Sequence, residues 1–399
     1  MECAAARLRS TIFRASSVTR PAFRGDPVIQ PTRSARPAHA IALGLSLLLG
    51  ACVGGQRGIG VQDRPTSVIF LIADGAGAAH WTLARFATED LALERMKTVG
   101  LVDTRGSDHV VSGSAPTASA YATGVRTFMG AISVGPDSVP VKTVLELAME
   151  RGKSTGLMTT TSIQDATPAA FGAHAVSRTR LADISRQFID RGITVLVGGG
   201  RRFFRPDMQG GNDLIAEARG RYTYVETVEE LMDLRPDTVD MLLGLLAETE
   251  MGVVADRGAG TLRKMTEAAL DILDRDPDGF FLMVENEESD TQSHDNMGPE
   301  TITTEMLDFD EVVRLALDYQ AEHPGTLVLV TGDHETGGLS LPYGAGLERA
   351  AFAAWATPGH TGVLIPIFAS GPGAERFGGI IRNDQVGQVL LELLGAEGR

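Results

Sequence analysis

Three apolar runs in this chain each lead into an acidic residue, and this pattern constrains the fold more than any other feature. The runs and the acids that follow them are Ser67–Ala73 with Asp74, Gly279–Val284 with Glu285, and Thr326–Thr331 with Asp333. Continuous β-branched runs of this length are typical of strands buried on both faces. Segments with helical periodicity, such as Leu262–Asp274 and Thr303–Glu322, separate them. The alternation predicts an α/β fold with a large, mainly parallel central sheet covered by helices on both faces.

Parallel strands point their carboxyl ends to one edge of the sheet, so residues far apart in sequence should meet there. We expect Asp74, Glu285, Asp333 and His334 at this edge. A fourth strand, Ser154–Thr161, leads to Asp165 and Thr167 and adds them to the same edge. Asp74 could instead be only a turn residue, because Asp-Gly is a common turn pair. So many carboxylates in one crevice would repel one another, and divalent cations would relieve that repulsion.

A second group of possible metal ligands follows Glu285. Asp290 and His294 stand four residues apart, a spacing that places two side chains on one side of a helical turn. His360 lies in the glycine-flanked loop PGHTG and could approach them, although a lone loop histidine is more often a surface residue. Together these three residues would form a nitrogen- and oxygen-ligated site suited to Zn²⁺, with an open position for a substrate.

Ser114 lies in the segment HVVSGSAPTASAYATG, between a β-branched run and a helix-compatible stretch of small residues. A hydroxyl there would sit at a helix N-terminus, where free N–H groups favour an oxyanion or a phosphate. Ser114 is therefore a candidate nucleophile. The alternative is that it only caps the helix, since serine is a preferred N-cap residue.

The first 51 residues differ in charge from the rest of the chain. They hold seven arginines against Glu2 and Asp26, whereas the whole chain has a net charge of −15. The apolar run Ile41–Leu49 has the length of a signal-peptide core, and the following Leu-Gly-Ala-Cys52 resembles the lipobox of bacterial lipoproteins. A buried strand with an incidental Cys52 is the alternative.

We therefore expect an export leader over 1–51, an anchor and linker over 52–66 with a lipid on Cys52, and a single catalytic domain over 67–399. The protein would then be periplasmic or at the cell surface, held to a membrane by the lipid. The acidic remainder argues against a nucleic-acid partner, which would require a basic face.

The chain resembles the alkaline phosphatase family. The resemblance rests on six segments in the family's order: LIADGAG, SGSAPTASAYATGV, QDATPAAFGAH, VEN leading to SDTQSH, VTGDHETGGL and GHTG. It implies one zinc on Asp290, His294 and His360, and a second zinc on Asp74, Asp333 and His334. It also implies a magnesium ion on Asp74, Thr167 and Glu285, with Asp165 orienting its waters. Arg178 would grip two phosphate oxygens.

The implied activity is hydrolysis of phosphate monoesters through a phosphoserine on Ser114, and dimers are common among relatives. A phosphodiesterase or another hydrolase of the same superfamily is an alternative, as is a surface protein that binds phosphate or metal without turnover. Three places depart from the family: Gly113 stands where many members carry Asp, residues 286–288 replace small residues, and Thr291 replaces Lys or His. The short interval from His334 to His360 leaves no room for a large crown insertion.

Overall fold

The computed structural model describes residues 64–342 and 353–396. The predicted leader, Cys52 and most of the predicted linker lie outside these residues. Within the described part of the chain, no helix combines the length and apolar character needed to cross a bilayer.

The described residues form twelve strands, of which ten lie in one large sheet and two in a small one. In chain order, the strands of the structure are β1 Ser67–Ala73, β2 Thr98–Asp103, β3 Ser154–Ser162, β4 Val195–Gly199, β5 Thr223–Val225, β6 Leu242–Leu245, β7 Phe280–Asn286, β8 Thr326–Thr331, β9 Glu335–Thr336, β10 His360–Thr361, β11 Ile365–Ser370 and β12 Gly379–Arg382. The order in the large sheet is β12-β2-β11-β8-β1-β7-β3-β4-β6-β5. In this large sheet only β11 runs antiparallel to its neighbours, so the prediction of a mainly parallel sheet is confirmed.

Helices cover both faces of this sheet, as predicted. They are α1 Ala78–Ala87, α2 Ser114–Thr123, α3 Val144–Glu150, α4 Ala166–Gly172, α5 Leu181–Arg191, α6 Leu214–Ala218, α7 Val228–Met232, α8 Val254–Arg257, α9 Thr261–Leu273, α10 Glu288–His294, α11 Pro299–Glu322 and α12 Asn383–Leu393. Alternate residues of β1 enter two separate cores, because successive side chains of a strand point to opposite faces. Phe70 and Ile72 pack in the core that holds α2 and α4, whereas Ile69 and Leu71 pack in the core that holds α9 and α11.

The strand order brings the predicted site residues to one edge. β1 lies between β7 and β8, and β3 lies on the far side of β7. Ile72 at the end of β1 is in register with Glu285 of β7 and with Thr331 of β8. The ends of these strands, and the residues that follow them, therefore share one crevice.

The interval between His334 and His360 forms a two-stranded sheet in the part that the structure describes. β10 pairs antiparallel with β9, which sets His360 opposite Thr336. This pairing carries the loop histidine back over the crevice, so His360 does not have the surface position that a lone loop histidine would favour.

Candidate active site

Ser114 is the first residue of α2, and its N-cap position is held by Gly113. The serine side chain makes no capping hydrogen bond there, so the capping interpretation fails. Ser114 is 5% exposed, and its Oγ lies 3.4 Å from Nε2 of His334. The ten-residue helix behind it is buried throughout, which holds the hydroxyl firmly at the helix N-terminus. A nucleophile at this position would face the positive end of the helix dipole.

Asp74, Asp333 and His334 form what we call the buried cluster, since all three have no exposed surface. Nε2 of His334 lies 3.3 Å from Oδ1 of Asp74 and 3.3 Å from Oδ2 of Asp333. The backbone N–H of Gly75 donates to the other Asp333 oxygen at 3.0 Å. Ligand atoms of the three side chains all lie within 4.8 Å of one another, so one cation could contact them all.

Asp290, His294 and His360 form a second group, the rim cluster, in which both histidines are half-buried. Nε2 of His294 lies 3.2 Å from Oδ2 of Asp290 and 3.0 Å from Nε2 of His360. Gly75 allows the close approach of Asp290. Its φ is +68°, and a Cβ at this position would lie 2.6 Å from Oδ1 of Asp290. The Asp-Gly pair is thus a turn and also a requirement of the site.

The hydrogen bonds of the imidazole rings turn their Nε2 atoms toward the two clusters. Nδ1 of His294 donates to the carbonyl of Pro358, and Nδ1 of His360 donates to the carbonyl of Ser112 at 2.8 Å. A carbonyl only accepts, so each Nδ1 must carry its proton. A histidine whose Nδ1–H is bound in this way is oriented to ligate a metal through Nε2.

His334 is oriented by a similar relay. Thr336 donates its hydroxyl proton to Asp290, so the Thr336 oxygen accepts from Nδ1 of His334 at 3.1 Å. The rings of His334 and His360 stack with centroids 3.6 Å apart, which places the two clusters side by side.

The spacing of these atoms fits tetrahedral cations. An ion bound at about 2.0–2.1 Å in tetrahedral geometry separates its ligand atoms by roughly 3.3–3.4 Å. The separations of 3.0 to 3.3 Å between the Nε2 atoms and their nearest partners are close to that edge. Lone pairs held this close repel one another unless a proton or a cation lies among them, so the arrangement suits a divalent metal.

A third group, the acidic cluster, shares Asp74 and adds Glu285 and Glu287. Thr167 at the start of α4 is buried, and its Oγ1 has no hydrogen-bond partner among the described residues. Both oxygens of Asp74 and Oε1 of Glu285 are likewise buried and unpartnered in that part of the chain. Buried polar atoms are nearly always paired, so these oxygens indicate a cation site of hard oxygen ligands.

Burial and mutual repulsion shift the pKa values of these carboxyl groups. Burial raises the pKa of Glu285 to about 8, with the charges of Asp165 and Asp333 adding to the effect. Burial and the charge of Asp333 also raise the pKa of Asp74 well above its ordinary value. A bound cation would reverse these shifts because it stabilises the ionised form.

In the rim cluster, a proton on His294 supplies the positive charge that a cation would supply. Its hydrogen bond with Asp290 raises the pKa of His294 to about 9. The imidazolium proton then occupies the space that a cation would take. Metal binding at the rim cluster should therefore release a proton.

Arg178 lies beside these clusters and pairs through its guanidinium with Asp165, the N-cap residue of α4. Its backbone N–H donates to the carbonyl of Gly130 at 2.8 Å, which fixes the base of the side chain. Burial lowers the pKa of Arg178, but the charge of Asp165 outweighs it and the guanidinium stays protonated. Because the Arg178 side chain keeps 37% of its surface exposed, it can reach an anion in the crevice.

The structure brings the site residues predicted from the sequence into one crevice, except Cys52, which lies outside the described residues. Glu287 belongs to the same crevice and was missed. The signal was present in the acidic VENEE segment, in which Glu287 follows Glu285 by two residues. His174 is not part of the metal-binding clusters, since its ring bonds the Ser133 carbonyl and the carboxylate of Glu146.

Comparisons with known proteins agree with this geometry. The family model for alkaline phosphatase matches residues 66–348. Alkaline phosphatase 3 of Bacillus subtilis is 29% identical, over 84% of this chain and 90% of its own length. The solved alkaline phosphatase of the Antarctic bacterium TAB5 has a TM-score of 0.76 and 29% identity, and the match covers 84% of this chain and 99% of that protein. A mutant of that enzyme, with a TM-score of 0.77 and the same identity and coverage, holds Mg in its M3 site.

The family match covers most of the chain, and the fold agrees with the solved structures over nearly their whole length. The segments that carry the likeness are also those that form the crevice. The chain therefore belongs to the alkaline phosphatase family and is a metal-dependent phosphomonoesterase.

Proposed function

We propose that the chain hydrolyses phosphate monoesters in two steps through a phosphoserine on Ser114. The Ser114 oxygen attacks phosphorus and gives its proton to water, while the bond from phosphorus to the alcohol oxygen breaks and that oxygen takes up a proton from water to leave as the alcohol. Water then attacks the phosphoserine, which releases inorganic phosphate and restores the hydroxyl. The observation that carries this proposal is the 3.4 Å approach of the Ser114 Oγ to His334, a member of the buried cluster.

We propose that zinc ions occupy the buried cluster and the rim cluster, and that magnesium occupies the acidic cluster with Thr167. Mixed imidazole and carboxylate ligands suit zinc, whereas oxygen ligands alone suit magnesium. Such a pair of zinc ions supplies stabilisation of the attacking and leaving oxygens in an in-line displacement. Asp165 would orient water bound to a magnesium ion there, and it pairs with Arg178.

Arg178 gives the site its preference for monoesters. A monoester dianion offers two free oxygens to the guanidinium fork in addition to the oxygens at the reacting positions, and a diester lacks one of them. The fork also neutralises charge on a substrate that the acidic chain would otherwise repel.

We also propose that the protein is exported and anchored to a membrane through a lipid on Cys52, as a periplasmic or cell-surface homodimer. The support for export and the anchor is in the sequence: a basic segment, an apolar run of signal-peptide length and the Leu-Gly-Ala-Cys motif. The homodimer rests only on the resemblance to a family in which dimers are common. Labelling with a radioactive fatty acid, with Cys52→Ser as the control, tests the anchor.

Phosphate release from an aryl phosphate at alkaline pH tests the catalytic proposal. A chelator and the Ser114→Ala variant should each abolish release, whereas Ser107→Ala, at an exposed serine just before the Ser114 segment, should retain it. Equal turnover by Ser114→Ala would exclude the phosphoserine. A wild-type protein that binds metal but releases no phosphate would instead support a non-catalytic binding protein, and faster release from a diester would support a phosphodiesterase.

A further inference from the structure

We propose that Glu287 is an additional ligand of the cation in the acidic cluster, beyond the Asp74, Thr167 and Glu285 set. This inference rests on the third metal site of the proposed function. Carboxylate oxygens of Asp74, Glu285 and Glu287 all lie within 4.8 Å of one another, so one ion could contact all three side chains.

The local backbone explains why Glu287 points to this cluster. Glu285 is the penultimate residue of β7, and Glu287 is the N-cap residue of α10, with helical backbone angles. Glu287 follows directly after the strand, where its N–H donates to Oγ1 of Thr160 at 3.0 Å. The next residue turns into α10, tied by the Glu288 N–H to Oδ1 of Asn286 at 3.2 Å. The two glutamates are therefore held on one side of the strand end.

The carboxylate of Glu287 is attracted by Arg178 but does not pair with it in the described residues. It has no hydrogen bond and no ion pair there, and the nearby Arg178 is paired with Asp165 instead. Glu287 faces Asp165, Glu285 and Asp290, all of the same charge sign. A carboxylate placed among carboxylates without a partner is costly, and a shared divalent cation removes that cost.

The added carboxylate should raise the affinity of the acidic cluster for a hard divalent cation. Three carboxylates and a hydroxyl form an oxygen-only site with a high ligand charge, and ligand charge raises the affinity for hard divalent cations. A small residue at position 287 would leave two carboxylates. We therefore expect this chain to bind Mg²⁺ at least about tenfold more tightly than a variant that lacks the Glu287 charge.

Calorimetric titration of zinc-loaded protein with magnesium chloride tests the proposal. Glu287→Gln keeps the length of the side chain and removes its charge, and we expect it to lose about tenfold or more in Mg²⁺ affinity. The Mg²⁺-dependent rise in melting temperature should shrink in parallel, and the zinc content should not change. Glu288→Gln is the matched control, because that carboxylate accepts from Gln292 at 2.9 Å and lies outside the cluster, so its Mg²⁺ affinity should equal that of the wild type.

Unchanged Mg²⁺ affinity in Glu287→Gln would overturn the ligand role, as would a wild-type protein that binds no Mg²⁺. If Glu287→Gln fails to fold, Glu287→Asp replaces it, and its shorter reach should also weaken Mg²⁺ binding. The proposed function fails in a different way. A wild-type protein that binds Mg²⁺ but releases no phosphate would contradict the catalytic mechanism and leave the ligand role of Glu287 intact.

Discussion

Replacing Arg178 with alanine tests how the site recognises phosphate. The guanidinium would make two charge-assisted hydrogen bonds to a monoester, each worth about 1.5–3 kcal/mol. In the structure the same group pairs with Asp165, so part of its donor capacity is already committed. We therefore take the lower end, about 3 kcal/mol, which corresponds to a loss of roughly 10²-fold in kcat/KM.

The assay compares kcat/KM for an aryl phosphate with that for the corresponding diaryl phosphate, in the wild type and in Arg178→Ala. Because the diester offers fewer free oxygens to the fork, its rate should fall much less than the monoester rate. Arg180→Ala is the matched control. Arg180 lies two residues away, pairs with Asp183 and has a side chain that is 56% exposed, so its loss should leave both rates unchanged.

Two results would refute this reasoning. An equal loss for monoester and diester would show that Arg178 acts through general electrostatics and not by gripping two oxygens. A loss below about tenfold would show that the pair with Asp165 already uses most of the guanidinium's capacity.

Further predictions concern pH, inhibition and stability. The pKa of Glu285 is raised from 4.5 to about 8 in the folded, metal-free protein. Protonation of Glu285 therefore favours the folded state in full below about pH 4.5, and this contribution to stability is lost as the pH rises through 8. The melting temperature with chelator should fall over that range, and added Mg²⁺ should restore more at pH 9 than at pH 5; a chelated protein that gains stability with pH would contradict the assignment. Gly113→Asp should lower the inhibition constant for inorganic phosphate, because the added carboxylate should restrain Arg178. The position has room for a side chain, since a Cβ at Gly113 meets nothing closer than Met129 Sδ at 3.4 Å. An unchanged inhibition constant would refute this prediction. Glu305→Ala should lower the free energy of unfolding in urea by about 3–5 kcal/mol, because it removes one of the two carboxylates that pair with Arg257, whose side chain is 1% exposed. A decrease below about 1 kcal/mol would show that Asp308 alone balances the Arg257 charge.

Much of the fold could be predicted from local sequence patterns. β1 and β8 have the bounds predicted from their apolar runs, and helix α11 begins only four residues earlier than its periodicity indicates. The antiparallel direction of β11 could not be predicted, because strand direction depends on the path of the connecting chain and does not affect the periodicity of the strand. The secondary structure of residues 201–261 was also hard to predict, since the helices and strands there are short.

The sequence by itself determined which side chains end the central strands, because apolar runs that stop at an acid are a local property of the chain. It therefore supplied the residues of the buried cluster and the position of Ser114. Only the tertiary structure decided how those residues share space. The order β8-β1-β7-β3 joins atoms more than 200 residues apart, and the orientations of His294 and His360 depend on carbonyls of distant loops. The pairing of Arg178 with Asp165 and the position of Glu287 likewise follow from distances of a few ångströms, which periodicity and spacing along a chain do not encode.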